Sequence, residues 1–295
     1  MAQVIKNHYG YSEIKDKPTQ AELDHYYTQK YYSNEAQHNK YERTYSEAEV
    51  AFFNNRLHRK YLQIAAQLPT NRAPKLLDIG CGEGWALAFF QNKGFEVTGL
   101  EFSTKAAGQF HPEMVSTIQE GNVYQNLEAL WERGESYDFI LMDNVLEHVI
   151  DPAYFVQKLP VLLAPKGVLC VEVPNDFSPL QARLLENGTI DREFWVVTPD
   201  HLSYFNYEGL RNLFVHHGWS VLSIGSDYPI DLNLFNPNTN YVMDKAKGKS
   251  VHHARVAIEN MLDELSPELT IQLFETFAQM GLGRNLIGYF QYPNE

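Results

Sequence analysis

Leu76-Leu77-Asp78-Ile79-Gly80-Cys81-Gly82-Glu83-Gly84 decides how this chain is read. An apolar run ends on an acidic residue and three glycines at alternate positions. Trp85 to Asn92 then continues with helical apolar spacing until Gly94 stops it. A strand that turns through glycines into a helix leaves bare backbone at its carboxyl end, where ligands of open α/β sheets bind. A dinucleotide fingerprint would need glycine three places after Gly82, but Trp85 stands there; counted from Gly82, the third glycine falls on Leu87. A phosphate loop ending in Gly-Lys-Ser/Thr is absent as well.

Outward from this loop, strand and helix patterns alternate. Phe95 to Glu101, Val115 to Glu120, Tyr137 to Met142, Val168 to Val173, Trp219 to Gly225 and Asn285 to Gln291 read as strands. Ser103 is placed to cap a short helix. Asp151-Pro152 opens a helix over 153–163, and Tyr207 to His217 forms another, stopped by Gly218. The spacing predicts an α/β fold: a Rossmann-like, seven-stranded, mostly parallel sheet with an antiparallel last strand. Residues 1–73 read as a helical N-terminal cap, with capping boxes at Thr19/Glu22 and Ser46/Glu49. The second precedes an apolar stripe of Val50, Phe53, Leu57, Tyr61, Ile64 and Leu68. The core is expected over 74–226 and 284–295. A helical insertion over 227–283 comes before the last strand, and a turn-rich insertion follows strand five at 175–200.

Glu101 ends the second strand, 17 residues after Gly84. A carboxylate there can accept hydrogen bonds from both hydroxyls of a ribose. The chain has 24 Lys and Arg against 37 Asp and Glu, a net charge of -13, so a phosphate backbone would be repelled and nucleic acid is not the expected partner. Cys81 and Cys170 sit in the loop and in an apolar strand, without the spacing of a disulfide framework or metal site. No stretch has the length of a membrane span or signal peptide, so the cytoplasm is expected and a membrane partner is not. The oligomeric state is left open.

The stretch 76–84 resembles the first signature of class I S-adenosylmethionine-dependent methyltransferases, and Val97-Thr98-Gly99-Leu100-Glu101-Phe102-Ser103 resembles the second. Gly121-Asn122-Val123 is similar to the Gly-Asp-Ala segment after strand three, with Asn122 in place of Asp. Asp143-Asn144-Val145-Leu146-Glu147-His148-Val149, Leu163-Ala164-Pro165-Lys166-Gly167 and His201-Leu202-Ser203-Tyr204-Phe205 resemble one large subgroup, with a weaker likeness to bacterial methyltransferases of sugar and polysaccharide biosynthesis. The resemblance implies S-adenosyl-L-methionine as cofactor. It implies Asp78, Gly80, Cys81, Gly82, Gly84 and Trp85 around its methionine and ribose parts. Glu101 would hold the ribose and Phe102 would lie beside the adenine. Asn122 and Val123 would meet the adenine edge, and Asp143 and Asn144 would border the site. The cluster Tyr26, Tyr27, Tyr31, Tyr32, Tyr41 and Tyr45 reads first as packing of helices on the sheet; the helices before strand one often cap the site in this family, which brings in Tyr32 as the alternative.

Methyl transfer to oxygen needs in-line positioning and an acceptor for the departing proton. His148, after strand four, is the first candidate for that base and His201, on the insertion, the second; a structural histidine bonded to a carbonyl is the alternative for each. Glu147 would pair with His148. Asp143-Asn144 suggests Mg²⁺, but no third oxygen ligand is evident, so no metal is expected. His252-His253 reads as a solvated helix face, and Arg56 and Arg284 as surface ion pairs, with an anionic group such as a nucleotide diphosphate as the alternative partner. The expected reaction is methylation of a small polar acceptor, a sugar or nucleotide-sugar hydroxyl. The alternatives are a quinol or other small metabolite, or a cofactor-binding module without turnover.

Overall fold

The computed structural model describes residues 3–23, 25–26 and 44–293. The main sheet holds β3 (Lys75–Ile79), β4 (Glu96–Glu101), β5 (Ile118–Glu120), β6 (Tyr137–Asp143), β7 (Leu163–Pro174), β9 (Ser220–Ser226) and β10 (Asn285–Gln291). Their order is β5-β4-β3-β6-β7-β10-β9. The first four pairings are parallel, and β10 runs antiparallel to both β7 and β9. Helices cover both faces, which explains the unbroken apolar runs of the central strands. Alternate residues separate into two cores. Leu77, Ile79, Ile140, Met142 and Val171 pack with Phe155 and Phe214, whereas Leu76, Phe139, Leu141 and Cys170 pack with Leu57, Leu87 and Phe90.

The helices are α1 (Glu47–Ile64), α2 (Trp85–Asn92), α3 (Lys105–Phe110), α4 (Val123–Glu132), α5 (Pro152–Lys158), α6 (Pro179–Glu186), α7 (Tyr207–His216), α8 (Gly248–Leu265) and α9 (Pro267–Gln279). Both expected capping boxes form: Ser46 with Glu49, and Thr19 with Glu22. β5 is shorter than expected because Pro112–Thr117 winds into a 3-10 helix. Thr104, not Ser103, is the N-cap of α3.

The N-terminal region holds strands that the helical reading did not foresee. β1 (Val4–Lys6), β2 (Ser12–Ile14) and β8 (Ser203–Tyr204) form a separate small sheet. Two- and three-residue strands are too short to show alternation. The hairpin seats on α7 at Gly209, where an added Cβ would lie 2.6 Å from the Tyr11 backbone nitrogen.

The apolar stripe expected on α1 is also only part of its buried face. Leu57 and Ile64 are buried, but so are Phe52, Arg59 and Lys60. Arg59 donates to Glu259 at 2.9 Å and also to Asp263, both on α8. Arg255 donates to Glu259 at 2.9 Å and to Asp227 at 2.8 Å. Buried ion pairs therefore fasten the helical insertion to α1. Removing one partner of such a pair leaves a buried charge uncompensated, at about 3–5 kcal/mol. Burial alone would raise the Glu259 carboxyl, but Arg255 and Arg59 outweigh it and hold it below the usual value. A depressed folded value contributes stability that is present above the unfolded value, near 4.5, and lost as the pH falls through the folded one. Glu259→Ala should therefore lower unfolding free energy in urea by about 3–5 kcal/mol at pH 7, with the deficit shrinking below pH ~4. An unchanged midpoint at pH 7 would refute the clamp.

Candidate functional site

β3 stops at Ile79, and Gly80, Gly82 and Gly84 follow with φ of 77°, 52° and 85°. These are left-handed values that glycine adopts without strain. At Gly80 proximity adds a second demand: a Cβ there would sit 2.5 Å from Val145 Cγ2, in the loop after β6. The Gly80 and Cys81 amides donate to the Leu100 carbonyl at 2.8 and 3.2 Å. Glu101, at the tip of β4, accepts from the Gly82 amide through Oε2 and from the Phe102 amide through Oε1, both at 2.8 Å. The carboxylate expected to hold a ribose thus also braces the loop.

Glu83 faces the other way. Its carboxylate accepts from the Tyr45 hydroxyl at 2.9 Å and the Trp85 indole at 2.8 Å. Tyr45 packs against Phe53, Trp85 and Phe110. One of the clustered tyrosines therefore pins the loop. Tyr32 lies outside the described residues.

A cavity of about 160 Å³ lies between α1 and the strand ends. Of the expected residues, Asp78, Gly80, Cys81, Trp85, Asp143 and Asn144 line it. So do Arg56, Lys60 and Glu172, which the sequence reading did not place there. Arg56 and Lys60 both donate to Glu172, and Lys60 also to Asp143. Asn285 donates to Glu172 at 2.9 Å. Burial would push the Glu172 carboxyl up, but Arg56 and Lys60 prevail and hold it well below its usual value. Burial disfavours the Lys60 ammonium, yet Asp143 and Glu172 keep it charged. Asp78 is driven up by burial and then by the nearby Asp143.

Two buried polar atoms on this cavity meet no partner among the described residues: the Arg56 Nε donor and the Asp143 Oδ1 acceptor. A cationic donor and an anionic acceptor on one cavity suit a zwitterion, whose carboxylate pairs with the first and ammonium with the second. S-adenosylmethionine carries such an amino-acid tail, so the residues present fit it.

The remaining expected positions divide. Asn122 Oδ1 accepts from the Tyr124 and Gln125 amides at 2.9 and 3.3 Å, so this side chain is the N-cap of α4 before any contact with a base. Val123 is the first residue of α4 and packs on the core. Arg284 and Arg56 are not surface pairs: Arg284 meets buried Asp176 at 2.9 Å, and Arg56 meets buried Glu172. His252 lies on an exposed face, 3.4 Å from Glu49.

The loop after β6 brings Glu147 and His148 beside His201 from the insertion, with the two rings edge-on at 4.9 Å. The Glu147 carbonyl accepts from the Leu202 and Ser203 amides, which fastens the insertion to this loop. His148 Nδ1 lies 2.6 Å from the Asp200 carbonyl oxygen, and Tyr26 donates to the Asp200 carboxylate at 3.0 Å. A carbonyl only accepts, so Nδ1 carries the proton in this contact. Glu147 is 1% exposed, and burial, reinforced by Asp176 and Glu172, pushes its carboxyl up to about 8.

A family model described as a methyltransferase domain matches residues 51–224, more than half of the chain. A ubiquinone biosynthesis O-methyltransferase from Psychrobacter cryohalolentis is 35% identical over 132 residues, covering 40% of this chain and 51% of that protein. The C-methyltransferase NovU from Streptomyces niveus is 26% identical over 189 residues, covering 64% of this chain and 41% of that protein. The chain thus spans about half the length of the curated relatives it matches. A solved plantazolicin methyltransferase, BpumL, shares the fold at 15% identity and a TM-score of 0.50, covering 92% of this chain and 96% of that one.

Charge-assisted hydrogen bonds contribute about 1.5–3 kcal/mol each. Glu101→Ala and Arg56→Met should each weaken S-adenosylmethionine binding by roughly 10–100-fold in calorimetry. Wild-type affinity in both variants would remove the cofactor from this site.

Proposed function

The chain belongs to the methyltransferase domain family of class I S-adenosylmethionine-dependent enzymes, and from that membership we propose that it methylates a small hydroxylated acceptor, a sugar or nucleotide-linked sugar. When bound, S-adenosylmethionine supplies an electrophilic methyl group on a cationic sulfur. The chain's own residues do the rest. Arg56 and Asp143 hold the amino-acid tail, Glu101 the ribose, and the glycine loop allows close approach of the backbone.

The observation that carries the reading is His148. Its Nδ1–H is fixed on the Asp200 carbonyl, which sets the tautomer, and its loop packs through Val145 against Gly80. Such an imidazole can receive the acceptor's hydroxyl proton as the oxygen attacks. The interior beside Glu147 is polar. Asp176 Oδ2 and Ser203 Oγ are buried without hydrogen-bond partners among the described residues, and both adjoin Glu147 in the fold. Hydroxyl groups of a sugar satisfy such atoms. A second reading, a phenolic quinol acceptor, is favoured by the likeness to the ubiquinone-pathway protein. Among the described residues no helix is long and apolar enough to cross a membrane.

The test offers labelled S-adenosylmethionine with nucleotide sugars, catechols and quinol precursors. Label should pass to a sugar; transfer to quinols alone would overturn the sugar assignment. No binding of S-adenosylmethionine would overturn the reading altogether. His148→Asn should lower kcat by roughly 10²–10⁴-fold with the cofactor dissociation constant nearly unchanged. A wild-type kcat in that variant would take the proton elsewhere.

A further inference from the structure

We propose that Glu147, His148 and His201 form a site for one divalent transition-metal ion, which binds and activates the acceptor hydroxyl; this rests on the methyltransferase reading above. The three side chains present a carboxylate oxygen and two ring nitrogens within 4.8 Å of one another. Their spacing is informative. Glu147 Oε1 and His148 Nε2 are 3.7 Å apart, too far for a hydrogen bond. Two atoms that each bond one ion at about 2.1 Å lie about 3–4 Å apart, so the separation matches shared ligation.

Glu147 supplies the second, independent indication. Neither of its carboxyl oxygens accepts a hydrogen bond from another of the described residues, although the group is 1% exposed. A buried carboxyl with two unused oxygens costs stability unless a cation or hydrogen-bond donor meets it. His148 is oriented as metal-bound histidines are. Its far nitrogen is held by a backbone carbonyl, which fixes the tautomer and turns Nε2 inward. Asp143 and Asn144, the pair the sequence offered for Mg²⁺, are not these ligands: Lys60 occupies Asp143 and Asn144 lies on the cofactor cavity.

Two imidazoles and one carboxylate suit Zn²⁺, Mn²⁺ or Co²⁺, and three protein ligands leave coordination positions for an oxygen from the acceptor. A metal-bound hydroxyl is more acidic, and its proton leaves to solvent before the oxygen takes the methyl group. With the ion in place His148 is a ligand; without it, His148 is the base.

The full-length protein, stripped with chelator and dialysed, is titrated with ZnCl2 in a calorimeter and with CoCl2 in a visible spectrometer. One equivalent should bind, with ligand-field bands for Co²⁺. Glu147→Gln and His201→Asn should each weaken binding at least ~10-fold, while the control His252→Asn does not. Chelator should depress methyl transfer at least ~10-fold, restored by Zn²⁺ or Mn²⁺, with S-adenosylmethionine affinity intact. No saturable binding of either metal below about 1 mM, or equal affinity in both cluster variants, would overturn the proposal. Chelator-resistant turnover would overturn it too, leaving His148 as base. Should a variant fail to fold, histidine ring protons of the wild type, shifted by bound Co²⁺, decide the question: unshifted rings refute it. Loss of S-adenosylmethionine binding by the wild type is a separate result that removes the underlying reading.

Discussion

Glu172 is the fixed point of this structure. It sits in β7, inside the apolar run Val168–Val173, and is 1% exposed. A carboxylate so placed survives only with its charge compensated. Arg56 and Lys60 of α1 supply that compensation, and Asn285 of β10 adds a hydrogen bond. One side chain thereby fixes the helix before the core, a central strand and the antiparallel strand between β7 and β9. The cofactor cavity exists because α1 is held there. Lys60 in turn holds one oxygen of Asp143, which leaves the other for a ligand.

The same ionic chemistry extends outward. Arg59, one position before Lys60, faces Glu259 and Asp263, and Arg255 joins Glu259 to Asp227. Asp227 also accepts from the amides of Arg284 and Asn285, both at 2.8 Å. The helical insertion is therefore connected to the cavity wall through buried charges on α1 and at the start of β10. Its contribution to the site is positional.

Much of this was legible in the sequence. The glycine loop, Glu101 and the alternation of strands and helices follow from local signals: glycine where the backbone needs left-handed angles, an acidic strand end at the right distance, and alternating periods. Asn285 to Gln291 was read as a strand and is one. What escaped has physical reasons. The N-terminal hairpin is stabilised by pairing with Ser203–Tyr204, nearly two hundred residues away, and strands this short have no period. Arg56 read as a surface ion pair, because a pattern rule equates charge with solvent, and Arg59 and Lys60 of the same helix drew no reading at all. The signal that could have corrected this was Glu172: a charge inside an apolar strand needs a buried partner. Glu147 was expected to pair with His148, and the two do meet, 3.7 Å apart, within ion-pair reach though beyond a hydrogen bond.

The account stands or falls on what the cavity between α1 and the strand ends holds. The most direct measurement is a crystal structure with S-adenosylhomocysteine bound. The account predicts its carboxylate on Arg56 Nε, its ammonium on Asp143 and its ribose on Glu101. An amino-acid tail lying elsewhere, with Arg56 and Asp143 still paired only to Glu172 and Lys60, would contradict it.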